Sequence, residues 1–238
     1  MANHPLNTRR LDSFLGKMLE LNKNQIRLLL AQNKVSVDGH IETNRERLIN
    51  TFSVIIVDGQ VIQNNPSCYL MLNKPIGVVS ATQDHEHQTV IDLINHNQSN
   101  QLHIVGRLDK NTSGLVLLTN DSRWSEKLTS PVSKVEKHYT VTLKHKLSRD
   151  YVEAFDKGMY FGFENITTQP AKLEIVSDYQ AKVILTEGKY HQIKRMFGRF
   201  RNPVVALHRE KIGNIKLDES LNTGEWRTLS NEEVLNAT

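Results

Sequence analysis

The sequence has few of the residues that cross-link a fold or anchor it in a membrane. One cysteine, Cys68, among 238 residues excludes an internal disulfide and any zinc or redox site built on a Cys-x-x-Cys pair. No apolar run reaches the ~18 residues that a membrane-spanning helix needs, and the chain does not begin with a signal-peptide segment. Hydrophobic residues make up 38% and charged residues 24%, which is typical of a globular fold. We therefore expect a cytoplasmic protein without a membrane partner.

Several common enzyme signatures are also missing. The sequence contains neither a Walker A motif nor Gly-x-Gly-x-x-Gly, so it does not predict a nucleotide cofactor. It has no Gly-x-Ser-x-Gly, the commonest signature of serine hydrolases. No two of the ten histidines lie four residues apart, and the one close pair, in Asp84-His85-Glu86-His87, is typical of an exposed loop. We therefore expect no metal site.

The positive charge is concentrated in two parts of the chain. The net charge is only +4, but residues 1–50 hold 8 basic and 5 acidic side chains, and residues 186–216 hold 8 basic and 2 acidic ones. Such local concentrations favour phosphate backbones, because each neutralised phosphate releases counterions. A charged face that is only solvated would give the same composition, so charge alone leaves both interpretations open.

Residues 1–62 predict a small α+β domain. Asn22 is typical of the cap before a second helix, Asp38-Gly39 predicts a hairpin turn, and residues 54–57 predict a strand. The first helix is predicted by apolar residues at helical spacing: Leu11, Phe14, Leu15, Met18 and Leu19. Polar and proline residues at 63–68 indicate a linker.

Residues 69–238 predict a second domain that is built mainly of strands. The whole chain is therefore assigned to the α+β class, with a mixed, largely antiparallel sheet and flanking helices in the second domain. Predicted strands lie at 69–72, 78–80, 115–118, 139–143, 173–176 and 183–185. Predicted helices lie at 90–94, 123–128, 149–155 and about 191–200.

One segment, GRLDKNTSGL at 106–115, places an acid, two bases, two hydroxyls and two glycines directly before an apolar strand. A carboxylate at Asp109 beside Arg107 is expected to stay ionised, because neighbouring positive charge favours the charged form. That is the state a nucleophile or a base needs. The alternative is a structural turn in which Asp109 caps local amides and pairs with Arg107.

A second segment, at 187–197, combines basic residues with one apolar stripe. Lys194 lies at the border of that stripe, from where a long side chain can reach a buried carboxylate. The stripe consists of Ile193, Met196, Phe197 and Phe200. An ordinary amphipathic helix with a solvated basic face would show the same pattern.

Five sequence blocks follow one another over most of the chain: LMLNKPIG (70–77), GRLDKNTSGLVLLTND (106–121), EKHYTVTL (136–143), EGKYHQIKRM (187–196) and LHREKIG (207–213). In this order they resemble the RsuA-type family of pseudouridine synthases. The N-terminal residues, with Arg10-Leu11-Asp12 and the hairpin around Asp38-Gly39, resemble an S4-type RNA-binding domain.

The resemblance implies a fold, a reaction and a set of site residues. The family breaks the N1–C1′ bond of a uridine, turns the uracil and rejoins it through C5, without a cofactor. By position, Asp109 would be the catalytic aspartate, Tyr139 would pack on the uracil, Lys194 would pair with Asp109, and Ile193 would contact the base. The basic contacts to flanking RNA would be Arg107, Arg195 and Arg209. Those of the S4-type domain would be Arg10, Lys23 and Arg27.

Within the family the chain is most similar to the small-subunit enzymes, judged by residues 129–131, 169–174 and 188–191. This implies a monomer that modifies one uridine of 16S rRNA, in an assembling small ribosomal subunit. Two alternatives stay open from the sequence: a large-subunit (23S) rRNA target, and a non-catalytic RNA-binding protein that retains the S4-type domain.

Overall fold

The computed structural model of the chain describes residues 8–238. The chain forms two compact units, Met1–Ser67 and Cys68–Thr238. The division falls within the predicted linker, 63–68, although Gln63 at its start is buried as the last residue of a strand. No helix in the described part of the chain is long and apolar enough to cross a membrane.

The first unit combines two helices with short strands. In chain order these are β1 (Arg9–Arg10), α1 (Leu11–Leu19), α2 (Lys23–Ala31), β2 (Val35–Val37), β3 (His40–Ile41), β4 (Leu48–Ile49), β5 (Ile55–Val57) and β6 (Gln60–Gln63). Strands β3-β2-β5-β6 form an antiparallel sheet, and β1 pairs with β4. The predicted helices and the hairpin at Asp38-Gly39 are confirmed.

The cap of α2 follows from its sequence. The side chain of Asn22 accepts hydrogen bonds from the amides of Asn24 and Gln25, and the Gln25 side chain accepts one from the Asn22 amide. This reciprocal arrangement satisfies amides that the first helical turn leaves without partners. The core of the unit lies between the helices and the sheet and contains Leu11, Phe14, Leu15, Ile26, Leu30, Val35 and Ile55.

The second unit is built on one large sheet. Its elements begin with β7 (Tyr69–Lys74), β8 (His103–Val105), β9 (Ser113–Thr119), α3 (Ser122–Thr129), β10 (Lys137–Leu143), α4 (Arg149–Lys157), β11 (Tyr160–Phe161) and β12 (Ile166–Thr167). They continue with β13 (Lys172–Ser177), β14 (Gln180–Leu185), α5 (Gln192–Gly198), β15 (Val204–Ile212), β16 (Ile215–Lys216), β17 (Trp226–Thr228) and α6 (Asn231–Leu235).

The sheet has the order β13-β14-β10-β15-β9-β7-β17, with β16 beside β15 and β8 beside β9. Among the strands of residues 8–238, β9 and β15 form a parallel pair, and the other pairs in this sheet are antiparallel. The predicted mixed, largely antiparallel sheet is thus confirmed.

Both faces of the sheet are covered. Along β9, Val116 and Leu118 face a core that includes α4 and α5, whereas Leu115 and Leu117 face a second core that includes α3. A strand that is buried on both faces reads as a continuous apolar run, which is the pattern of residues 115–118.

Two predicted elements are wrong. Residues 90–93 form a turn that does not continue into the predicted helix at 90–94, because a segment this short gains few helical hydrogen bonds. Thr89 and Asp92 exchange bonds from each backbone amide to the other side chain, as the residues that cap α2 do. Residues 78–80 contribute an isolated bridge, Val79 to Thr89, instead of a strand. In the second unit the sequence analysis also missed the nine-residue strand β15 and several short elements: β8, β11, β12, β16, β17 and α6.

Candidate active site

Asp109 lies on the loop that joins β8 to β9. Gly106 starts this loop with φ +76°, a conformation that glycine adopts without strain. The amide of Thr112 donates to the carbonyl oxygen of Asp109 at 3.0 Å and closes a tight turn behind the carboxylate. The loop therefore presents the Asp109 side chain from a fixed backbone.

The last residue of β7 and the segment after it hold this loop in place. The buried ammonium of Lys74 donates to the carbonyl oxygens of Thr112 and Pro75, at 2.8 Å each. Burial lowers the pKa of Lys74 to about 8, and the negative charge of Asp109 acts against this shift. The Ser80 hydroxyl donates to the Leu108 carbonyl and accepts from the Leu108 amide, at 2.8 and 3.0 Å.

Two side chains from a distant part of the sequence meet the Asp109 carboxylate. Lys194 Nζ lies 2.9 Å from Asp109 Oδ2, and His191 Nε2 lies 3.4 Å from Oδ1. The Lys194 and Asp109 side chains are 28% and 27% exposed, so their ion pair is only partly solvated. The pair predicted from family position is therefore formed, and the alternative of an Asp109–Arg107 pair is not.

Hydrogen bonds of the buried Gln192 side chain fix the segment that carries Lys194 and His191. Gln192 Nε2 donates to Glu187 Oε1 at 2.7 Å, and Gln192 Oε1 accepts from the Lys189 amide at 3.0 Å. His191, which lies between Lys189 and Gln192, adopts the left-handed backbone conformation, with φ 49° and ψ 31°. This conformation is uncommon for residues other than glycine. The surrounding bonds hold this backbone, and it directs the imidazole toward Asp109.

Asp109 and Lys194 face a cavity of about 90 Å³, here named the inner cavity. Tyr139, on β10, forms one wall and is 8% exposed, while Ile193 forms another and is 4% exposed. Thr112 also lines it, and its buried hydroxyl oxygen has no hydrogen-bond partner in residues 8–238. The inner cavity thus offers a paired carboxylate, an aromatic ring and an apolar surface within one small space.

Arg209 was expected to contact substrate, and its position corrects that expectation. It is 2% exposed, and its guanidinium donates to the carbonyl oxygens of Leu115, at 2.8 Å, and Gly106, at 2.5 Å. At Gly114 (φ +105°) any Cβ would collide with the backbone of Arg209, so glycine is what lets β15 approach β9 this closely. Arg209 therefore supports the Asp109 loop, because its donors are used by the backbone.

Arg195 was also expected to contact substrate and is placed elsewhere. Its guanidinium forms two 2.6 Å hydrogen bonds with Glu164 and stacks over the Phe161 ring at 3.8 Å. Neighbouring positions on a helix face different directions, so Lys194 points to Asp109 while Arg195 ties α5 to the β11–β12 hairpin. Arg107, by contrast, is exposed on the rim of the inner cavity, and nothing in residues 8–238 forms an ion pair with it.

The three basic residues expected to bind RNA in the first unit are exposed. Lys23 and Arg27 are four residues apart on α2, so they lie on one face. Arg10 forms ion pairs with Asp12 at 2.7 Å and Glu46 at 3.1 Å.

Sequence reasoning missed the supporting residues Lys74, Ser80, Glu187 and His191. Lys74, Glu187 and His191 lie inside two of the blocks that carry the family resemblance, and that position was the available signal. The bonds of Ser80 to Leu108, 28 positions away, leave no local pattern.

Comparison with known proteins gives the family. Residues 68–198 match the model of the family described as RNA pseudouridylate synthase. The chain is 45% identical over 226 residues to ribosomal small subunit pseudouridine synthase A of Pseudomonas aeruginosa, covering 94% of this chain and 98% of the relative. The protein of the same name from Escherichia coli K12 is 41% identical over 226 residues, with the same coverage.

A solved structure gives the same answer. The crystal structure of a pseudouridylate synthase matches 96% of this chain and 99% of its own, at 38% identity and a TM-score of 0.70. These findings confirm the family resemblance carried by the five sequence blocks, and the site described above lies within or close to the matched residues. The chain belongs to the RNA pseudouridylate synthase family.

Proposed function

We propose that this enzyme converts one uridine of 16S rRNA to pseudouridine, with Asp109 as the reactive group. The observation that carries the proposal is the Asp109–Lys194 pair, 2.9 Å apart, on the wall of a cavity that Tyr139 and Ile193 complete. The small-subunit target is supported by relatives that bear that name and share 41–45% identity over nearly the whole chain. We also propose that the enzyme acts in the cytoplasm, on an assembling small subunit, and as a monomer.

The chemistry requires the target base to leave its stack, because a reactive group cannot reach the sugar carbon inside a paired helix. In the inner cavity the uracil would lie against the Tyr139 ring, with Ile193 as the apolar contact beneath it. Stacking on an aromatic ring offsets part of the cost of unstacking.

Asp109 then has three roles open to it: its carboxylate attacks C1′, adds to C6 of the uracil, or takes the proton from C2′. In each case the N1–C1′ bond breaks, the uracil turns, C5 bonds to C1′ and then loses its proton, and N1 gains one. The Asp109–C1′ bond breaks as C5 bonds to C1′, the Asp109–C6 bond breaks as C5 loses its proton, or C2′ regains its proton, according to the route. The reaction is an isomerisation, so no atom or electron is gained overall and the chemistry itself asks for no cofactor.

Lys194 serves this step through charge and position. Its ammonium fixes one oxygen of the Asp109 carboxylate, while His191 contacts the other. A positioned charge pair in a partly desolvated site contributes more than the same pair in water.

The test is to compare wild-type enzyme with Asp109→Asn on small-subunit rRNA. Pseudouridine is mapped by carbodiimide treatment and primer extension, both in cells lacking the protein and with purified enzyme. We expect one position to lose pseudouridine in the deletion cells, wild type to restore it, and Asp109→Asn to be inactive with unchanged folding. Asp178→Asn is the matched control, because Asp178 is 63% exposed and pairs only with Lys146 among charged groups in the described residues. Residual activity of Asp109→Asn within about tenfold of wild type would reject the role of Asp109.

We further propose that the first unit is an S4-like RNA-binding domain that contacts phosphates through Lys23, Arg27 and Arg10. The shared exposed face of Lys23 and Arg27 supports this. The double variant Lys23→Ala/Arg27→Ala should reduce the slope of log affinity against log salt by about 0.7 for each lost single-strand contact. Lys34→Ala is the control, since Lys34 pairs with Asp58. An unchanged slope would contradict RNA binding by this face.

A further inference from the structure

A second and larger cavity, here named the outer cavity, adjoins the inner one. Its volume is about 600 Å³, and it shares Arg107, Asp109, Tyr139 and His191 with the inner cavity. Its other walls include Tyr190 on one side and Thr129 and Pro131 on the other. The reactive carboxylate is thus placed at the junction of two spaces, only one of which the target uracil would fill.

Tyr190 presents an open aromatic face at this cavity. Its ring stacks on the His191 ring with centroids 3.8 Å apart and planes 20° from parallel, yet the residue is 71% exposed. One face is therefore covered by His191, and the other remains available to a planar ligand. His191 is in turn held by the Asp109 carboxylate and by the strained backbone fixed between Lys189 and Gln192. The tyrosine is a pre-arranged stacking surface.

The outer cavity carries an excess of positive charge. Four cationic residues line it, Arg107, Lys137, Lys189 and Arg209, against one acid, Asp109. The ammonium of Lys137 and the guanidinium of Arg209 are both buried and donate to backbone carbonyls, so no carboxylate neutralises them there. Lys189 pairs with Glu187, and Arg107 is exposed. Such a lining suits a group that combines a planar base with a phosphate.

We propose that the outer cavity binds the nucleotide next to the target uridine in the RNA strand, with its base stacked on Tyr190 and its phosphate near Arg107. This inference rests on the proposed function, because it assumes that the uridine occupies the inner cavity. Along the RNA strand, the target uracil would lie against Tyr139 and the linking phosphate at the rim of the inner cavity. The neighbouring base would then stack on Tyr190. The proposed occupant is part of an RNA strand and not a free nucleobase. A free base would stack on Tyr190 but would bring no phosphate to the cationic residues of the cavity.

The experiment pairs protein variants with altered RNA. A synthetic fragment of small-subunit rRNA that contains the mapped uridine is prepared intact, and also with an abasic residue on its 5′ or on its 3′ side. Dissociation constants and single-turnover rates are measured for wild type, Tyr190→Ala and Tyr190→Phe. Tyr179→Ala is the control, since Tyr179 is an exposed tyrosine that lines neither cavity.

On intact RNA, Tyr190→Ala should bind about 5- to 150-fold more weakly, which is the range for losing one base–aromatic stack, while Tyr190→Phe binds like wild type. On RNA that is abasic on the side occupying the outer cavity, wild type and Tyr190→Ala should bind equally. A base analogue whose fluorescence is quenched by stacking, 2-aminopurine, placed at that side should be quenched by wild type and not by Tyr190→Ala.

Three outcomes overturn the inference. These are equal binding by Tyr190→Ala and wild type on intact RNA, an equal loss on all three RNAs, and full activity loss in Tyr190→Phe. An equal loss on all RNAs would mean that Tyr190 only supports His191. Failure of wild type to form pseudouridine in the intact fragment would instead reject the proposed function, and that result is read independently of Tyr190.

Discussion

Replacing Arg209 with methionine tests whether this residue supports the catalytic loop or contacts RNA. The guanidinium is 2% exposed and satisfies the carbonyl oxygens of Leu115 and Gly106. Methionine fills much of the same volume but donates no hydrogen bond. Each buried carbonyl left without a partner costs about 1–3 kcal/mol, so we expect the free energy of unfolding to fall by about 2–6 kcal/mol.

The two tryptophans make the assay selective. Trp124 and Trp226 are the only tryptophans of the chain and both lie in Cys68–Thr238, so their fluorescence in a urea titration reports the catalytic unit alone. Arg209→Lys keeps the charge and one donor direction, and we expect an intermediate loss. Arg123→Met replaces an exposed arginine of the same unit and should change stability by less than about 0.5 kcal/mol.

Activity and RNA binding separate the two interpretations of Arg209. A displaced Asp109 loop lowers the single-turnover rate, because a shift of about 1 Å in a reacting group can cost about 100-fold. The slope of log affinity against log salt should change by less than the about 0.7 of one lost phosphate contact, because backbone carbonyls already use the Arg209 donors. A stability change below about 1 kcal/mol together with a salt slope lower by about 0.7 would refute the supporting role and favour a phosphate contact.

Two further predictions concern charged pairs. Lys194→Ala should lower the single-turnover rate about 100-fold or more, with a smaller effect on RNA affinity. Lys194→Arg should recover much of the lost rate, and equal losses of rate and affinity in Lys194→Ala would contradict this role. Hydrogen bonds from Arg227 hold the pKa of Glu233 at about 2, against 4.5 ordinarily. The stability from this carboxylate is thus present above about pH 4.5 and lost toward pH 2, so urea titrations should show Glu233→Gln destabilised at neutral pH but not near pH 2.

The sequence was sufficient to predict many of the local helices, turns and strands and to identify the family. Asn22 before α2, Asp38-Gly39 in the first hairpin and the apolar run at 115–118 each act within a few residues, so their patterns predict their structures. The helix predicted at 90–94 did not form because a five-residue segment, with Asp92 in its middle, is too short to specify one. The reciprocal bonds of Thr89 and Asp92 can cap a helix or close a turn, so they do not decide between the two.

The partners of charged residues were harder to predict. Asp109 and Lys194 are 85 positions apart, and only the family resemblance placed them together. Composition marks Arg195 and Arg209 as basic residues near a catalytic segment, but it does not show what their donors meet. Arg195 meets Glu164 and Arg209 meets backbone carbonyls, and both partners are set by packing between distant strands and helices.

The buried cations connect the rigidity of the site to its electrostatics. Lys74 and Arg209 hold the Asp109 loop through its backbone carbonyl oxygens, and Lys137, which lines the outer cavity, donates to the carbonyl oxygen of Val135. A neutral donor could form the same hydrogen bonds to these carbonyl oxygens, but it would add no positive charge to the site. With cations, the same bonds leave positive charge beside Asp109 that no other carboxylate cancels among the residues lining the two cavities. That charge attracts the phosphates of the RNA, so fixing the loop and preparing the site for an anionic substrate are achieved by the same side chains.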